Sequence, residues 1–254
     1  GAERGGGMTL GIVRLGHLGD GIADGPIFVP RALPGESVEG VVKDGILAMP
    51  KIVTPSSHRV KAPCCHYNAC GGCALQHADD AFVADWKMGV VQTAMAAQGL
   101  EAEIRGIQTS PPNARRRAKL SGRRTKKGAI VGFHARGSDT LTPVPNCTVL
   151  NRRILALLPD LEALTTQIAS RKGEVSYTIT AAEAGLDLVV EGAKDMTDAL
   201  RFDMARFAQD AQLARLSWNG ELLLTRAPPT QQFGDVSITP PPGAFLQATK
   251  HGED

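Results

Sequence analysis

Four cysteines constrain this chain more than any other feature. Cys64, Cys70 and Cys73 stand in the run CCHYNACGGC with the spacing Cys-x5-Cys-x2-Cys, and Cys147 follows far downstream in VPNCTVL. Three close thiols and one distant one act together only if the chain folds back to close a metal centre. Such a centre is a structural staple as well as a chemical one. Thiolates are soft ligands that suit zinc, copper(I) and iron–sulfur clusters. Structural zinc usually takes two short Cys-x2–4-Cys knuckles. Here there is one tight pair, one wider gap and one remote partner. That pattern fits a 4Fe–4S cluster held by four thiolates better than zinc, and better than buried reduced cysteines with no metal. Gly71 and Gly72 let backbone amides approach cluster sulfides with no Cβ in the way. Cys65, beside a ligand, is expected to be a bystander. His66 either tunes the cluster or faces solvent.

The chain has 254 residues, enough for one or two domains, and a formal net charge of +2, which by itself says little about partners. The distribution of charge says more. Residues 105–136 carry ten Lys or Arg and no Asp or Glu, while the segment from Cys147 onward leans acidic. There is no apolar run long enough to span a bilayer and no apolar core of a signal peptide. The odd cysteine count, without an export signal, points to a reducing cytoplasm, where clustered cysteines bind metal rather than pair.

Residues 9–52 read as short strands broken by glycine turns, the signature of a small barrel. Phe28, its only aromatic, is expected in the core. An amphipathic helix follows, capped by Asp79 or Asp80, with Phe82, Trp86, Val90 and Ala94 on one face and Gly99 at its end. ARRRAKLSGRR and AIVGFHA around a TKKG turn predict a hairpin. Leu150 to Ile168 predicts two helices broken at Pro159. VSYTIT with LDLVVEG predicts a hairpin, ALRFDMARFAQDA a helix, and LARLSWNGELLLTRA a hairpin about Asn219-Gly220. The tail is expected to be extended.

CCHYNACGGCALQH, VPNCTVL and PPGAFLQAT together resemble the bacterial RNA uracil-C5 methyltransferases, which make 5-methyluridine in 23S rRNA or tRNA with S-adenosylmethionine. GIVRLGHLGDGIADG and FVPRALPGESVEG resemble the OB-like TRAM barrel of that family, and ARRRAKLSGR with IVGFHARGS resembles its central hairpin. The resemblance implies an α+β protein, with a barrel at 8–60, an iron–sulfur loop at 61–80 closed by Cys147, and a central α/β RNA-binding domain at 81–240. Residues 241–254 would begin a linker, and 1–7 would be a leader or tag remnant. It implies the metal ligands Cys64, Cys70, Cys73 and Cys147, and a methyl-donor contact at Gln247.

No glycine-rich donor loop, no further nucleophilic cysteine and no matching carboxylate is found after FLQAT. The expectation is that the S-adenosylmethionine-binding domain is absent and that this portion alone is inactive. RNA contacts are expected from Arg115, Arg117 and Lys119, which would share one face of a strand, and from Arg14, His17 and Arg31 on the barrel. The expected partner is RNA, 23S rRNA before tRNA, bound by a monomer with no membrane association. A stand-alone iron–sulfur RNA-binding module is the alternative.

Overall fold

The computed structural model describes residues 8–253; the leader expected at 1–7 lies outside them. The chain divides into two compact units. One holds residues up to Pro63 together with Cys73–Ile107. The other holds Cys64–Gly72 and everything from Gln108 onward.

In the first unit, β1 (Met8–Leu15), β2 (Gly21–Ala23), β3 (Ile27–Val29), β4 (Ser37–Gly40) and β5 (Lys51–Thr54) form one antiparallel sheet in the order β3-β2-β1-β4-β5. This sheet must curl. Phe28 N donates to Gly45 O and Leu47 N to Phe28 O, so segment 45–47 lies along the outer edge of β3. Lys51 begins the opposite edge strand. In a flat sheet those positions would be about 24 Å apart, five strand spacings. The four residue steps between Leu47 and Lys51 reach at most about 15 Å. The two edges are therefore drawn together around Ile12, Val29, Val38 and Leu47. Phe28 is not in that core; its side chain is 44% exposed. It sits on a strand whose next residue, Val29, takes the inward position, and alternation sends Phe28 out.

The helix α1 (Asp80–Ala96) belongs to this unit, not to a domain beginning at residue 81. Asp79 caps it by accepting from Phe82 N at 2.7 Å, and Gly99, at φ +68°, turns the chain at its end. Phe82, Val83 and Trp86 pack against Leu15, Leu33 and Ala78, which ties the helix to the first unit.

The second unit is built on a mixed sheet. Its strands are β6 (Arg117–Arg124), β7 (Ala129–His134), β8 (Leu141–Pro143), β9 (Glu174–Ala182), β10 (Gly185–Glu191), β11 (Leu213–Trp218) and β12 (Glu221–Thr225), in the order β12-β11-β10-β9-β6-β7-β8. Only β10 and β11 pair in parallel, and α3 (Asp198–Asp210) makes the crossover between them. The other helix, α2 (Arg152–Ile168), runs unbroken through Pro159. Ile154, Leu157, Leu158, Leu161, Leu164 and Ile168 are buried on both sides of the proline. Each contributes about 1.5–3 kcal/mol of burial, which outweighs the roughly 3 kcal/mol cost of one interior proline. Pro159 itself is exposed.

The hairpin about Asn219-Gly220 forms with positive φ at both residues. Before the tail, β13 (Gln231–Phe233) and β14 (Val236–Ile238) make a small separate hairpin turned at Gly234; the tail beyond Ile238 has no strand and ends in a short 3-10 turn at Lys250–Gly252.

Candidate nucleic-acid interface

The two faces of the larger sheet differ in kind. Ala118, Leu120, Tyr177, Ile179, Leu188 and Leu216 face the helices and are buried. Strand pairing then fixes the opposite face. Arg117 lies across from Thr180, Lys119 from Thr178, Ser121 from Ser176 and Arg123 from Glu174. On β10 the same row continues through Asp187 and Val189, and on β11 through Arg215 and Ser217. This face is mostly hydroxyls and charges, and α2 and α3 pack on the other one.

The expected basic row is only partly available there. Arg115 precedes β6; its N–H donates to Val149 O at 3.0 Å and its carbonyl accepts from Asn151 N at 2.8 Å. Arg117 is on the predicted face, but its Nε and Nη2 donate to Ala244 O and Gly243 O, each at 3.2 Å. Lys119 is exposed on that face. Arg116, on neither expected list, is buried; its Nε donates to Gln247 O at 3.2 Å, and its Nη2 pairs with Glu253. Arg215 is held by both oxygens of Asp187, at 2.9 and 2.7 Å, and donates to Pro240 O at 2.8 Å. Three arginines thus pin residues 240–253 as a strap along one end of the polar face. Gln247 contributes its carbonyl to the strap, and its side chain is exposed.

At the other end of the face Glu174 gathers a second network. Its Oε1 accepts from Ser121 Oγ at 2.6 Å and lies 3.0 Å from His134 Nε2; its Oε2 accepts from Arg123 Nε at 2.7 Å. Burial pushes the Glu174 carboxyl up, but the hydrogen bonds from Ser121, His134 and Arg123 together outweigh it and hold the group below its ordinary value.

In the first unit Arg14 and His17 are exposed, as an RNA contact needs. Arg31 is half-buried with φ +62°, and its carbonyl accepts from Arg59 Nη2 at 2.7 Å.

The thiols divide between the units. Cys64, Cys70 and Cys147 are buried in the second, and Cys73 is half-buried in the first. The loop 64–72 is tied to the second unit by Gly71 N to His134 O at 3.0 Å, Thr142 Oγ1 to Ala69 O at 3.2 Å, and Asn146 N to His66 Nε2 at 3.3 Å. Gly71 is required there, because a Cβ would stand 2.5 Å from His134 O. Gly72 N donates to Cys70 Sγ at 3.3 Å and Val149 N to Cys147 Sγ at 3.4 Å. These contacts suit the chemistry of thiolate sulfur. The arrangement is not a cage, however: among the described residues no three His, Cys, Asp or Glu stand together as a metal site. The expected cluster is therefore not supported by the geometry. No helix of the described residues is long and apolar enough to cross a membrane.

One unit carries a curled antiparallel sheet and the other a mixed sheet with one polar face. No protein-family model matches the chain. It is 34% identical over 97% of its length to an uncharacterized RNA methyltransferase of Rhizobium meliloti, covering 61% of that protein. An uncharacterized RNA methyltransferase of Caulobacter vibrioides is 35% identical over 97% of the chain, with 62% of the relative covered. The 23S rRNA (uracil(1939)-C(5))-methyltransferase of Shewanella piezotolerans is 32% identical over 82% of the chain and 50% of the relative. Among solved structures, the tRNA (uracil-54, C5)-methyltransferase of Pyrococcus abyssi, in complex with S-adenosyl-L-homocysteine, matches 96% of the chain and 62% of its own, at TM-score 0.66 and 18% identity. That likeness is one of fold. The chain spans about three fifths of the length of the first relatives it matches.

One expectation is overturned here. The α+β assignment carried the claim that a donor-binding domain is absent, which rested on the sequence stopping after FLQAT without a glycine-rich donor loop, a further nucleophilic cysteine or a matching carboxylate. The chain instead aligns over 96% of its length with a methyltransferase fold solved with a product of the methyl donor. A stopping point inside the length of its relatives delimits no domain, so neither the absence nor an inactive fragment follows.

Proposed function

We propose that this chain is part of an S-adenosylmethionine-dependent RNA methyltransferase that acts at C5 of uracil, with 23S rRNA as the substrate. One observation carries the proposal: similarity along 97% of the chain to a protein named as an RNA methyltransferase. The relative whose name specifies 23S rRNA is the reason this reading prefers 23S rRNA to tRNA.

The part in hand suits the holding of RNA. Lys119 stands exposed among hydroxyls on the sheet face opposite α2 and α3, where a phosphate can be met without displacing packing. Arg14 and His17 offer exposed donors on the first unit. Arg117 serves through the strap it holds at Gly243 and Ala244, and Arg115, half-buried just before β6, keeps its guanidinium for RNA in this reading. Gln247, exposed on the pinned strap, remains the residue assigned toward the methyl donor.

A 4Fe–4S cluster on Cys64, Cys70, Cys73 and Cys147 rests on the family resemblance alone: the amide donors to Cys70 and Cys147 sulfur suit thiolates, but the described residues form no cage. No step of RNA binding is routed through it.

The test is labelled methyl transfer from S-adenosylmethionine to unmodified 23S rRNA and to tRNA by the protein that carries this chain, followed by nucleoside analysis. Label in 5-methyluridine of 23S rRNA is expected. Label only in tRNA would change the substrate, and label in neither would sink the reading.

A further inference from the structure

The turn between β6 and β7 and the connection between α2 and β9 leave the larger sheet at the same end, because Arg123 on β6 pairs in register with Glu174 at the start of β9. Between them lies an open cleft of about 550 Å³ lined by Arg124, Thr125, Lys126 and Arg171. Lys127 and Lys172, both exposed, flank it in sequence.

Two ordinary structural roles for these cations are already filled by other residues. The first is pairing with a carboxylate. Glu174, the acid nearest them in sequence, has both oxygens engaged by Ser121, His134 and Arg123. Among the described residues none of Arg124, Lys126, Lys127, Arg171 or Lys172 stands in an ion pair. The second is serving the carbonyls at the C-terminus of α2. Lys194 does that, its N–H donating to Ile168 O at 3.0 Å and its Nζ to Gln167 O at 2.9 Å. What remains is a concave, acid-free cluster of guanidinium, ammonium and hydroxyl donors.

We infer that this cleft is a second RNA-backbone site, seating phosphodiester groups on Arg124, Lys126 and Arg171 with the Thr125 hydroxyl beside them. The inference rests on the RNA reading above and adds a place to it. Lys119 and Arg124 stand five residues apart on β6, about 17 Å, and alternation sends them to opposite faces of the sheet, so the two sites meet different phosphates. Guanidinium forks suit bidentate phosphate contact. Sites this far apart contribute independently to binding.

The experiment is binding of the full chain to a labelled 23S rRNA hairpin by fluorescence anisotropy across a salt series. The proteins are the parent, Lys126→Ala/Arg171→Ala, Lys119→Ala and the triple variant. Each neutralised phosphate adds close to one unit to the slope of log affinity against log salt. The double variant is expected to bind about 10-fold or more weakly at low salt with a slope shallower by about two, and Lys119→Ala to add to it without synergy. The double variant's altered positions are at the surface, so its circular dichroism should match the parent. In parallel, acetylation read by mass spectrometry should show Lys126 and Lys172 protected by RNA.

A double variant with the parent's slope, while Lys119→Ala still weakens binding, overturns the cleft and leaves the RNA reading standing. A parent with no salt-dependent RNA binding overturns both. Loss of binding to anionic phosphatidylserine vesicles with RNA binding intact would assign the cleft to a membrane surface and overturn the proposal.

Discussion

Arg59 clamps Glu36 at two points. Its Nε lies 2.5 Å from Oε1 and its Nη2 2.7 Å from Oε2, while Leu33 N and Ser56 N donate to the same carboxylate at 2.8 and 3.0 Å. Glu36 is 1% exposed. Burial pushes its carboxyl up, but the bonds from Arg59, Ser56 and Leu33 outweigh this and hold it below the ordinary value of 4.5. The unfolded chain therefore binds the proton more tightly, and stability from this group is present above that value and lost as pH falls through the folded one. Glu36→Gln is expected to destabilise the first unit by about 3 kcal/mol at pH 7, since it strands a partly buried guanidinium. In urea unfolding the gap between parent and variant should narrow with acid. A gap constant from pH 7 to pH 3 would contradict the assignment.

His77 should show the larger acid effect. It is buried, and desolvation, followed by the nearby Arg59 charge, pushes its imidazole down to about 4. The folded protein keeps it neutral while the unfolded chain protonates near its ordinary 6.5. Stability should therefore rise with pH between those values, by on the order of 3 kcal/mol. His77→Gln should flatten that part of the profile, read from thermal melts in a pH series.

Pro159 is the cheapest place to gain stability. It lacks the N–H that would bond within α2, and its side chain is exposed, so nothing packs against the ring from a core. Pro159→Ala should raise unfolding free energy by about 1–3 kcal/mol. Chemical denaturation decides it; no change would mean that the helix already absorbs the proline without strain.

Arg117 and Lys119 occupy one sheet face, yet their substitutions should differ. Lys119→Ala should lower the salt slope of RNA binding by close to one unit. Arg117→Ala should leave the slope near the parent's and instead loosen the strap at Gly243 and Ala244, seen as faster amide exchange there. Equal effects on the slope would show that Arg117 leaves the strap to meet RNA.

Local signals were legible where a few residues decide the outcome. Asn219-Gly220, the TKKG turn, Asp79 as cap and Gly99 as stop could each be read from neighbours in sequence. The strap could not. Arg116 and Glu253 are 137 positions apart, and nothing local marks a basic run as a clamp on the chain's own tail. The basic segment therefore suggested a row of free cations, whereas only Lys119 of that row is exposed. Pro159 misled for a related reason: the local penalty was visible, but the buried leucines outweighing it take effect only against the sheet. The cleft at Arg124, Lys126 and Arg171 was hidden because its walls come from two connections brought together by strand pairing. Similarly, nothing in the cysteine spacing shows that Cys73 falls in a different compact unit from Cys64, Cys70 and Cys147.

The strand order sets a timetable for synthesis. β6 and β7 can pair as soon as both leave the ribosome, but β6 also needs β9, which comes after all of α2. Until α2 is made, Leu120 and Val131 have no helix to cover them, and until β9 follows, β6 keeps one edge unpaired. β9 in turn takes β10 as its other neighbour, and β10 waits for β11 beyond α3. The larger unit thus grows outward from an early hairpin, through stages that leave an unpaired strand edge exposed. Its yield in cells should respond to translation speed across residues 135–213, where each missing element leaves the preceding strand without a partner.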